Sequence, residues 1–580
     1  MRLFLLIAAL AGAFGLAVLT SQSPRPLPAD APATAFSATR ALADVREIAQ
    51  RPHPVGSPDH ARVRAYLLGR MGGLGLQTQT QGFRLADHAP PGLDPGAGEG
   101  VNLIGVLPGS DPALPAVALM AHYDTTPRSP GAADNTTGVA AILEAVRAIR
   151  ARGPAPRTVI VLFTDAEEIG LIGARAFFAA HPLRDTIGAV ANLEARGGGG
   201  RAAMFETGRG NADTVSAFAA IASRVTGGVS SNSLSVFVYE RMPNGTDFSL
   251  PKDAGVQGIN LAFLGRPAHY HTPLSTPDNL DAGSVQHIGS QALEFADRLA
   301  RAPALPAATA DVVYTDVLGR IVLSYPPAAG WIGVAGALAL WGFSVWRVGR
   351  VGGLSAADVG RGVLGGVWFL AAGLVTAQAL RLLAGPTGPE GYYTIMARLG
   401  WLEAAVAISQ LGLAALLLFG KGRRGRWSAV AMVGVAAVIC IARAGPNPML
   451  LATSAVALVL PIAPGLQTRN AWSGWIGLIG LGLVVTLAAQ TLAPTTAPIV
   501  AWPTLLAALA AALSASTADA LDKAPAVIAP LLATVIGGAW LLSLAHHLFL
   551  GIGGLLPGVV ALPALLLLML CRPLASRQPA

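Results

Sequence analysis

The sequence predicts an α/β domain with a mostly parallel sheet, followed by an all-α multi-pass membrane domain. The first observation is that three short apolar runs, residues 117–120, 158–163 and 188–193, each end directly in a polar cluster. Such runs, with helical segments between them, are typical of buried parallel strands. The second observation is that nearly all acidic residues precede residue 316, whereas long apolar stretches follow it. We therefore expect a soluble domain joined to a membrane domain.

Composition separates this chain from ordinary soluble proteins. Its 580 residues are 53% hydrophobic and 12% charged, and the mean hydropathy is +0.54, well above a soluble average. The formal charge of +8 comes mostly from arginines, several in short loops between apolar segments, so it indicates membrane topology rather than nucleic-acid binding. The two cysteines, Cys440 and Cys571, lie in apolar segments. The soluble part therefore has neither a disulfide framework nor a thiolate zinc site.

Changes in composition divide the chain into five segments. These are an N-terminal transmembrane signal anchor (residues 1–21), a Pro/Ala-rich linker (22–34), an extracytoplasmic domain (35–302), a second linker (303–328) and a multi-pass membrane domain with about nine helices (329–580). The apolar run of residues 3–20 is longer than the core of a secretory signal peptide, which is roughly 7–15 residues. This length favours an uncleaved anchor over a cleaved signal peptide.

Apolar residues at helical spacing predict two helices, over residues 37–50 and 57–75, at the start of the soluble domain. A Gly/Pro-rich loop, residues 89–100, separates them from the first strand. The other predicted elements are strands over 101–107, 203–206 and 258–264, crossover helices over 137–150 and 170–180, and a closing amphipathic helix over 283–300.

The loops between the apolar segments differ in charge. Counting nine helices and the anchor, most basic residues fall on the side of Arg2: Arg347, Arg350, Arg361, Lys421, Arg423, Arg424, Arg426, Arg469, Lys523, Arg572 and Arg577. The opposite loops carry Arg381, Arg398 and Arg443. The positive-inside rule then places the soluble domain on the extracytoplasmic, periplasmic side of the cell (inner) membrane and the C-terminus in the cytoplasm.

Carboxylates and histidine follow the predicted strands at their carboxyl ends, where ligand-bearing residues of such sheets cluster. One crevice would collect His122, Asp124, Asp134, Glu167, Glu168 and Glu194, and the later segment PAHYHTPLSTPDN supplies a further histidine. A hydrolytic dimetal site needs a bridging carboxylate, terminal ligands on each ion and a free carboxylate as general base. Histidine and carboxylate ligands without thiolate favour zinc, with manganese or cobalt as alternatives.

Two pairs of residues that are close in the sequence are suited to these roles. In the pair Glu167–Glu168, one side chain would bind metal while the other stays free as the base. Asp124 follows His122 by two residues, so in an extended segment it lies on the same face and could hydrogen-bond the imidazole.

The joint pattern resembles the co-catalytic dizinc exopeptidases of the aminopeptidase type, peptidase family M-28. The resemblance covers roughly residues 53–281, including RPHPVGSPDHARVRAYL ahead of the site and NGTDFSLPKDAGVQGINLAF before the last histidine. NLEARGGGG and the trailing helices are similar to the multi-pass membrane branch of that family, which includes the endoplasmic reticulum metallopeptidase Felix-ina. The resemblance implies a mixed, mostly parallel sheet with helices on both faces, of the zinc-exopeptidase, phosphorylase/hydrolase-like type.

The resemblance also implies a ligand set for two zinc ions per domain. Asp134 would bridge the two ions, with His122 and Glu194 completing one site. Glu168 and His271 would complete the other.

Further roles follow from the same resemblance. Glu167 would be the general base, Asp124 would support His122, and Tyr239 could hydrogen-bond the tetrahedral intermediate. One departure is Ser275, which stands where the family often has an acidic residue, and Asp278 nearby is the candidate to compensate.

Together these features predict a membrane-anchored zinc aminopeptidase that removes N-terminal residues from peptides by attack of a metal-activated water. Its partners would be peptide substrates and membrane lipid. A carboxypeptidase or dipeptidase is the alternative within the family, because the ligand set does not separate them. A peptide-binding receptor or transport-coupled protein is the rival class. Paired charges in the membrane domain would favour transport, but the sequence shows few: Glu403, and His546 and His547, which we expect to be packed or interfacial.

Overall fold

The computed structural model describes residues 2–317, 319–351, 353–420, 422–463, 465–517 and 525–575. Three basic residues used for the topology prediction, Lys421, Lys523 and Arg577, lie outside these described residues. The chain divides into two compact units. One is Gln22–Pro326, and the other combines Met1–Ser21 with Pro327–Ala580.

The described residues form nine strands and nineteen α-helices. The strands are β1 (Gln77–Arg84), β2 (Glu99–Leu107), β3 (Ala116–His122), β4 (Val159–Thr164), β5 (Ile187–Ala195), β6 (Gly199–Thr207), β7 (Gln257–Gly265), β8 (Val313–Val317) and β9 (Ile321–Tyr325). The helices of the first unit are α2 (Ala38–Ile48), α3 (Pro58–Gly73), α4 (Leu85–His88), α5 (Thr136–Ala151), α6 (Ile172–Ala180), α7 (Ala212–Ala219), α8 (Ser233–Tyr239), α9 (Ser249–Asp253) and α10 (Ala282–Ala300). The helices of the second unit are α1 (Arg2–Ser21), α11 (Gly330–Val351), α12 (Ala356–Ala384), α13 (Tyr392–Phe419), α14 (Gly422–Ala444), α15 (Pro448–Val459), α16 (Ala471–Leu492), α17 (Pro498–Thr517), α18 (Pro525–Ile552) and α19 (Ala561–Cys571).

The unit Gln22–Pro326 is built on a seven-stranded mixed sheet in the order β1-β2-β4-β3-β5-β7-β6. The four central strands β4, β3, β5 and β7 are parallel to one another. The outer strands β1, β2 and β6 pair antiparallel. The chain runs from β3 to β4 on one side and then crosses to β5 on the other, so the strand order reverses at β3. Ligand sites of open α/β sheets lie at such a reversal.

Helices cover both faces of this sheet. On one face, α5 and α10 pack against the buried Val117, Leu119 and Ala121 of β3, and α2 packs against α5 and α10. On the other face, Phe177 of α6 packs against the alternate residues of β3, such as Met120. Because both faces are covered, β3 and β4 are buried along their whole length and are apolar without alternation. The predicted fold class, a mixed sheet with helices on both faces, is confirmed.

Two differences from the prediction concern edges of this unit. β1 was not predicted, because its sequence QTQTQGFR is polar and almost wholly exposed, as suits an edge strand.

Residues 303–328, predicted as a linker, instead contain the antiparallel hairpin β8–β9. The hairpin is attached to the unit, since Asp316 and Ser231 exchange hydrogen bonds of 2.9 and 3.0 Å. The Pro/Ala-rich residues that begin this segment concealed the strands that follow.

The second unit is a helix bundle. Nine of its described helices, counted with the 3-10 turns that adjoin them, are long and apolar enough to cross a membrane, namely α1, α11 to α14 and α16 to α19. With its adjoining turns, α19 spans Pro557–Ala575. The remaining helix, α15, has 12 residues. The sequence predicted about nine helices after residue 329, and eight of the described helices there reach membrane-spanning length.

Hydrogen bonds between loops bring basic residues together at one end of this bundle. Arg2 Nη1 donates to the carbonyl of Pro573 (3.3 Å), and Arg572 Nη2 donates to Thr468 Oγ1 (3.0 Å). The neighbouring Arg469 N donates to Asp358 Oδ1 (3.1 Å). The loop after α15 therefore lies at the same end as residue 2 and the start of α12.

The opposite end is held by other arginines. Arg381 of α12 donates to the carbonyls of Gly554 and Pro386, the latter at 3.0 Å. Arg398 of α13 donates to the carbonyl of Ala384 at 2.6 Å. α14 ends at the opposite end of the bundle from the loop that holds Arg469. The short α15 and the residues after it therefore carry the chain back along the bundle to that loop.

Within the bundle, two titratable side chains that are distant in the sequence meet. His546 Nδ1 of α18 is 2.8 Å from Glu403 Oε1 of α13. We expected His546 to be packed or interfacial, because its sequence neighbourhood shows no ionisable partner. The partner comes from another helix, 143 residues away.

Glycines set the approach of α12 to α16. A Cβ atom at Gly362 would lie 2.2 Å from the carbonyl oxygen of Gly474, whereas one at Gly360 would meet nothing within 4 Å. Gly362→Ala should therefore force the helices apart, and such overpacking costs about 1–3 kcal/mol. We expect a lower melting temperature for the full chain in detergent. Gly360→Ala, in the same helix, should be neutral or stabilising, and equal melting temperatures for the two variants would contradict the close crossing.

Candidate metal centre

The predicted ligands lie at the carboxyl edge of the four central strands. His122 is the last residue of β3, and Glu194 is the penultimate residue of β5. Glu167 and Glu168 lie in the turn after β4, and His271 lies in the loop after β7. Because these strands are adjacent and parallel, their carboxyl ends meet at one edge. The fold thus brings together side chains that are far apart in the sequence.

Asp134 lies at the centre of this group. It precedes Asn135, which caps α5 by accepting a hydrogen bond from Gly138 N. Asp134 Oδ1 is 3.1 Å from His122 Nε2, and Asp134 Oδ2 is 3.0 Å from His271 Nε2. The dipole of α5 favours a negative charge at this N-terminus. One carboxylate therefore joins two histidines that come from different strands.

Two groups of side chains could each hold a metal ion, with one donor atom per residue and all donor atoms within 4.8 Å of one another. The groups are His122, Asp134 and Glu194, and Asp134, Glu168 and His271. In the second group, Glu168 Oε2 is 3.1 Å from His271 Nε2, while Glu168 Oε1 is buried without a hydrogen-bond partner. A bare buried carboxylate oxygen is costly unless a cation binds it. The donor set therefore fits two metal positions that share Asp134.

The site concentrates negative charge away from water. Burial raises the pKa of Glu167 well above its usual range and that of Glu194 to about 8. Although burial lowers the pKa of His271, its hydrogen bonds with Asp134 and Glu168 raise it to about 11. Although burial raises the pKa of Asp134, hydrogen bonds from the two histidines lower it to about 2. In a metal-free protein the imidazolium groups balance the carboxylates, and a bound cation would take over that role.

Glu167 is close to both groups but belongs to neither. Its Oε2 lies 3.9 Å from His122 Nε2, and its side chain is 13% exposed. The backbone N–H of Glu167 donates to Asp124 Oδ1 (3.1 Å), and that of Glu168 donates to Asp124 Oδ2 (3.3 Å). The Asp124 carboxylate therefore fixes the turn that carries both glutamates.

The contact predicted between Asp124 and His122 has a different form. The closer acceptor to His122 Nδ1 is the main-chain oxygen of Asp124 at 3.1 Å, whereas Oδ1 lies at 3.5 Å. The carboxylate makes its shorter hydrogen bond to the turn after β4. Asp124 thus contacts the imidazole mainly through its backbone and the glutamate turn through its side chain.

Tyr239 is the last residue of α8, and its hydroxyl is buried beside Thr246. Burial, with the negative charge of Glu206 and Glu194, raises its pKa far above the usual value, so the phenol keeps its proton. Its ring packs edge-on against Phe205, with centroids 4.7 Å apart. Tyr239 also lines a cavity of about 510 Å³ together with Glu206 and Lys252.

Two asparagines that the sequence analysis overlooked support Glu194. Asn192 Nδ2 donates to Glu194 Oε1 (3.0 Å), and Asn135 Nδ2 donates to Glu194 Oε2 (3.3 Å). A signal for Asn192 was available, because residues two apart in a strand share a face. Asn135 follows Asp134 directly.

A third overlooked residue is Asp247, in the segment NGTDF. Its side chain is fully buried and accepts a hydrogen bond from the Thr164 hydroxyl. Burial raises its pKa to about 6, and its charge acts on Glu167 and Glu194.

The departure at Ser275 has a local explanation. Ser275 is buried, and its hydroxyl accepts a hydrogen bond from Ala133 N (3.3 Å), directly before Asp134. Its carbonyl accepts another from Ala132 N (3.0 Å). Asp278, considered as a replacement for the missing carboxylate, is exposed. The serine itself supports the loop that carries Asp134.

Residues 102–296 match the model of peptidase family M28. Endoplasmic reticulum metallopeptidase 1 of Homo sapiens is 35% identical over 237 residues, which cover 40% of this chain and 26% of that protein. The vacuolar membrane protease of Candida albicans is 32% identical over 253 residues, which cover 43% and 29%. The aligned part thus spans about a quarter of the length of these curated relatives.

Solved structures with a similar fold include a glutaminyl cyclase of Bacteroides thetaiotaomicron, with a TM-score of 0.38 and 20% identity. That match covers 45% of this chain and 97% of the other. An aminopeptidase from Aneurinibacillus sp. strain AM-1 has a TM-score of 0.36 and 14% identity, covering 48% and 97%.

Metal binding should release protons. At pH 7 the metal-free protein holds protons on His271 and Glu194, whose pKa values are raised to about 11 and about 8, and both groups must lose them to coordinate a cation. Titration calorimetry with Zn²⁺ in two buffers of different ionisation enthalpy should therefore give different heats, and affinity should fall as pH falls. His271→Asn should release fewer protons, whereas the matched change His88→Asn should not alter the release. Buffer-independent heats would contradict the assignment.

Proposed function

We propose that this protein is a membrane-anchored zinc exopeptidase, most specifically an aminopeptidase, whose residues 102–296 form a domain of peptidase family M28. The observation that carries the proposal is the placement of Asp134 between two ligand groups, with the carboxylate of Glu167 beside both and part of neither. The relatives support a peptide substrate, because their names describe a metallopeptidase and a protease.

We assign one zinc ion to each ligand group. His122 and Glu194 would hold one, Glu168 and His271 the other, and Asp134 both. Imidazole and carboxylate donors without thiolate suit zinc. Bound zinc ions supply Lewis acidity, which activates water and polarises a carbonyl oxygen.

The chain's own residues then handle the proton and the substrate. Glu167, fixed by its N–H bond to Asp124, accepts a proton from the attacking water and passes it to the leaving amine. The raised pKa of Glu167 lets its carboxylate act as a strong base beside the substrate. Tyr239 keeps its proton, so its buried hydroxyl is suited to donate to the oxygen that becomes negative as the peptide bond is attacked.

The test of this proposal uses peptides with blocked ends and the purified full chain. An aminopeptidase should cleave peptides with a free N-terminus and reject their N-acetylated forms, while C-terminal amidation has little effect. The carboxypeptidase alternative gives the reverse result, and a dipeptidase cleaves only the unblocked dipeptide. Binding of these peptides without any cleavage by zinc-loaded protein would favour the receptor class.

Two isosteric variants separate the general base from a ligand. Glu167→Gln cannot accept a proton, and general-base assistance is typically worth about 10²–10⁴-fold, so kcat should fall by at least that factor with metal content unchanged. Glu168→Gln replaces a charged ligand by an amide, so it should lose zinc, with partial recovery of activity at high zinc concentration.

Metal content and turnover are measured side by side for both variants. Each variant is the matched control of the other, since the residues are adjacent and the change is identical. If Glu167→Gln loses zinc while Glu168→Gln keeps it and is merely slow, the two roles are reversed.

We also propose that the peptidase domain lies on the periplasmic side of a bacterial inner membrane, with the C-terminus in the cytoplasm. The end of the bundle that holds Arg2, Arg469 and Arg572 would then face the cytoplasm. The end with Arg381 and Arg398 would face the periplasm.

Reporter fusions examine this orientation. A reporter fused after Arg426 should behave as cytoplasmic, because α14 starts at the positive end of the bundle. A reporter inserted in residues 89–100 should behave as periplasmic, and one fused after Arg443, at the other end of α14, serves as the matched control and should also be periplasmic. The opposite labelling would overturn the orientation.

The pair Glu403–His546 favours a transport-coupled role of the membrane domain as a second candidate. Ionisable groups within membrane helices are costly and are commonly retained for function. Proteoliposomes containing wild type or Glu403→Gln would show whether peptide uptake depends on this pair.

A further inference from the structure

A further histidine, His60, lies near the candidate metal ligands but is not one of them. His60 of α3 is buried, with 2% of its surface exposed. Its ring stacks on that of Tyr123, with centroids 4.8 Å apart and planes inclined by 4°. Its Nε2 lies 2.9 Å from Asp165 Oδ1. Neither His60 nor Asp165 belongs to the two groups that could hold metal among the described residues.

Asp165 begins the turn that carries the two glutamates. It is fully buried, and its carboxylate also accepts hydrogen bonds from Val101 N (2.7 Å) and from Ala166 N (2.8 Å). Ala166 has a positive φ of 59°, a conformation that a residue other than glycine adopts only when its surroundings impose it. Asp165 therefore helps to impose the turn that ends in Glu167.

Tyr123 connects this turn to β3. It stands between His122 and Asp124, and its hydroxyl is 3.1 Å from Asp165 Oδ2 and 2.8 Å from the carbonyl of Val101. Burial and the Asp165 carboxylate raise its pKa well above the usual value, so the phenol remains a donor. The ends of β3 and β4 are thus tied twice, through Asp124 to the glutamate N–H groups and through Tyr123 to Asp165.

We infer that His60 is a positioning residue: through Asp165 it holds the turn after β4 so that the Glu167 carboxylate stays aimed at the reacting water. The inference rests on the proposed peptidase function for the role of Glu167. The Nε2–H of His60 donates to Asp165 Oδ1, and the stack on Tyr123 fixes the direction of that donor. Without the donor, a fully buried carboxylate loses one hydrogen bond and the turn loses its outer support.

A purely structural role predicts a different outcome. Loss of packing would lower stability and leave the turnover of the folded fraction unchanged. Loss of positioning lowers kcat in the folded, zinc-loaded protein while KM and zinc content stay the same, because the aim of the base matters in the transition state rather than in binding.

Three variants of the full chain distinguish these roles. His60→Phe keeps the stacked ring but removes the donor, and we expect kcat to fall by about 10–100-fold with KM and zinc content unchanged. His60→Gln restores a side-chain donor and should recover part of the loss. The matched control is His287→Gln, another fully buried histidine, which contacts Ala202 N and the carbonyl of Gly228 away from the site. It should lower the melting temperature without lowering kcat.

Amide hydrogen exchange provides a readout that does not depend on activity. In zinc-loaded His60→Phe, residues 165–171 should exchange faster, while β7 exchanges as in wild type. Wild-type kcat together with unchanged exchange in His60→Phe would overturn the inference. If exchange accelerates as expected but wild-type protein cleaves no peptide, the proposed function fails and the support of the turn by His60 stands. A loss in kcat matched by a loss of zinc would instead make His60 a determinant of metal binding and would also overturn it.

Discussion

The contact of the Asp134 carboxylate with His122 and His271 is the interaction on which the candidate metal centre of the unit Gln22–Pro326 depends. Its two oxygens lie 3.1 and 3.0 Å from imidazole nitrogens of residues that are 149 positions apart in the sequence, and three glutamates lie close to them. Several buried carboxylates cannot all stay charged in one place without cations. In the metal-free site, protonated histidines offset the negative charge of the carboxylates. In a metal-loaded site, divalent ions would offset it. The hydrogen bonds that position these carboxylates therefore hold them in place against their mutual electrostatic repulsion.

A chain of hydrogen bonds lies behind the candidate ligands and supports them against this repulsion. Asn192 bridges Glu194 and Asn260, and Asn260 donates to the buried Glu206, which pairs with Lys252 at 3.1 Å. This network connects the edge of the metal site to β6 across two strands. Asn192 and Asn135 each donate to one carboxylate oxygen of Glu194, so this side chain is held in place against the repulsion of its neighbours.

The parts of this architecture that the sequence predicted are those with local signals. β3, β4 and β5 were predicted because their apolar runs stop at polar residues that are candidate metal ligands. The membrane helices were predicted from hydropathy alone. β1 carries no such signal, since an exposed edge strand needs no apolar residues. The supports were missed for another reason. His60 and Asp165, Asn192 and Asn260, and Glu403 and His546 are pairs separated by 68 to 143 residues, and one sequence contains no record of which distant side chains meet. The candidate ligands were expected to meet because they follow the predicted parallel strands at their carboxyl ends, which does not hold for the residues behind them. Their assignment to two zinc ions came from the resemblance to the peptidase family.

The first helix illustrates how an element with a simple sequence signal acquires a structural role from packing. Its buried residues Leu6, Ala9, Ala13 and Ala17 recur at helical spacing and form one stripe. That stripe faces α18, where a Cβ atom at Gly538 would lie 3.1 Å from the Ala13 Cβ, and Ser21 Oγ at the end of the helix is 3.3 Å from Ser543 Oγ. Small residues that permit close approach drive association between helices in lipid, where apolar side chains gain nothing from leaving the solvent. A helix that served only to tether the soluble unit would need length and hydropathy but no such stripe. The matched small residues on α1 and α18 therefore indicate that α1 is an integral helix of the bundle.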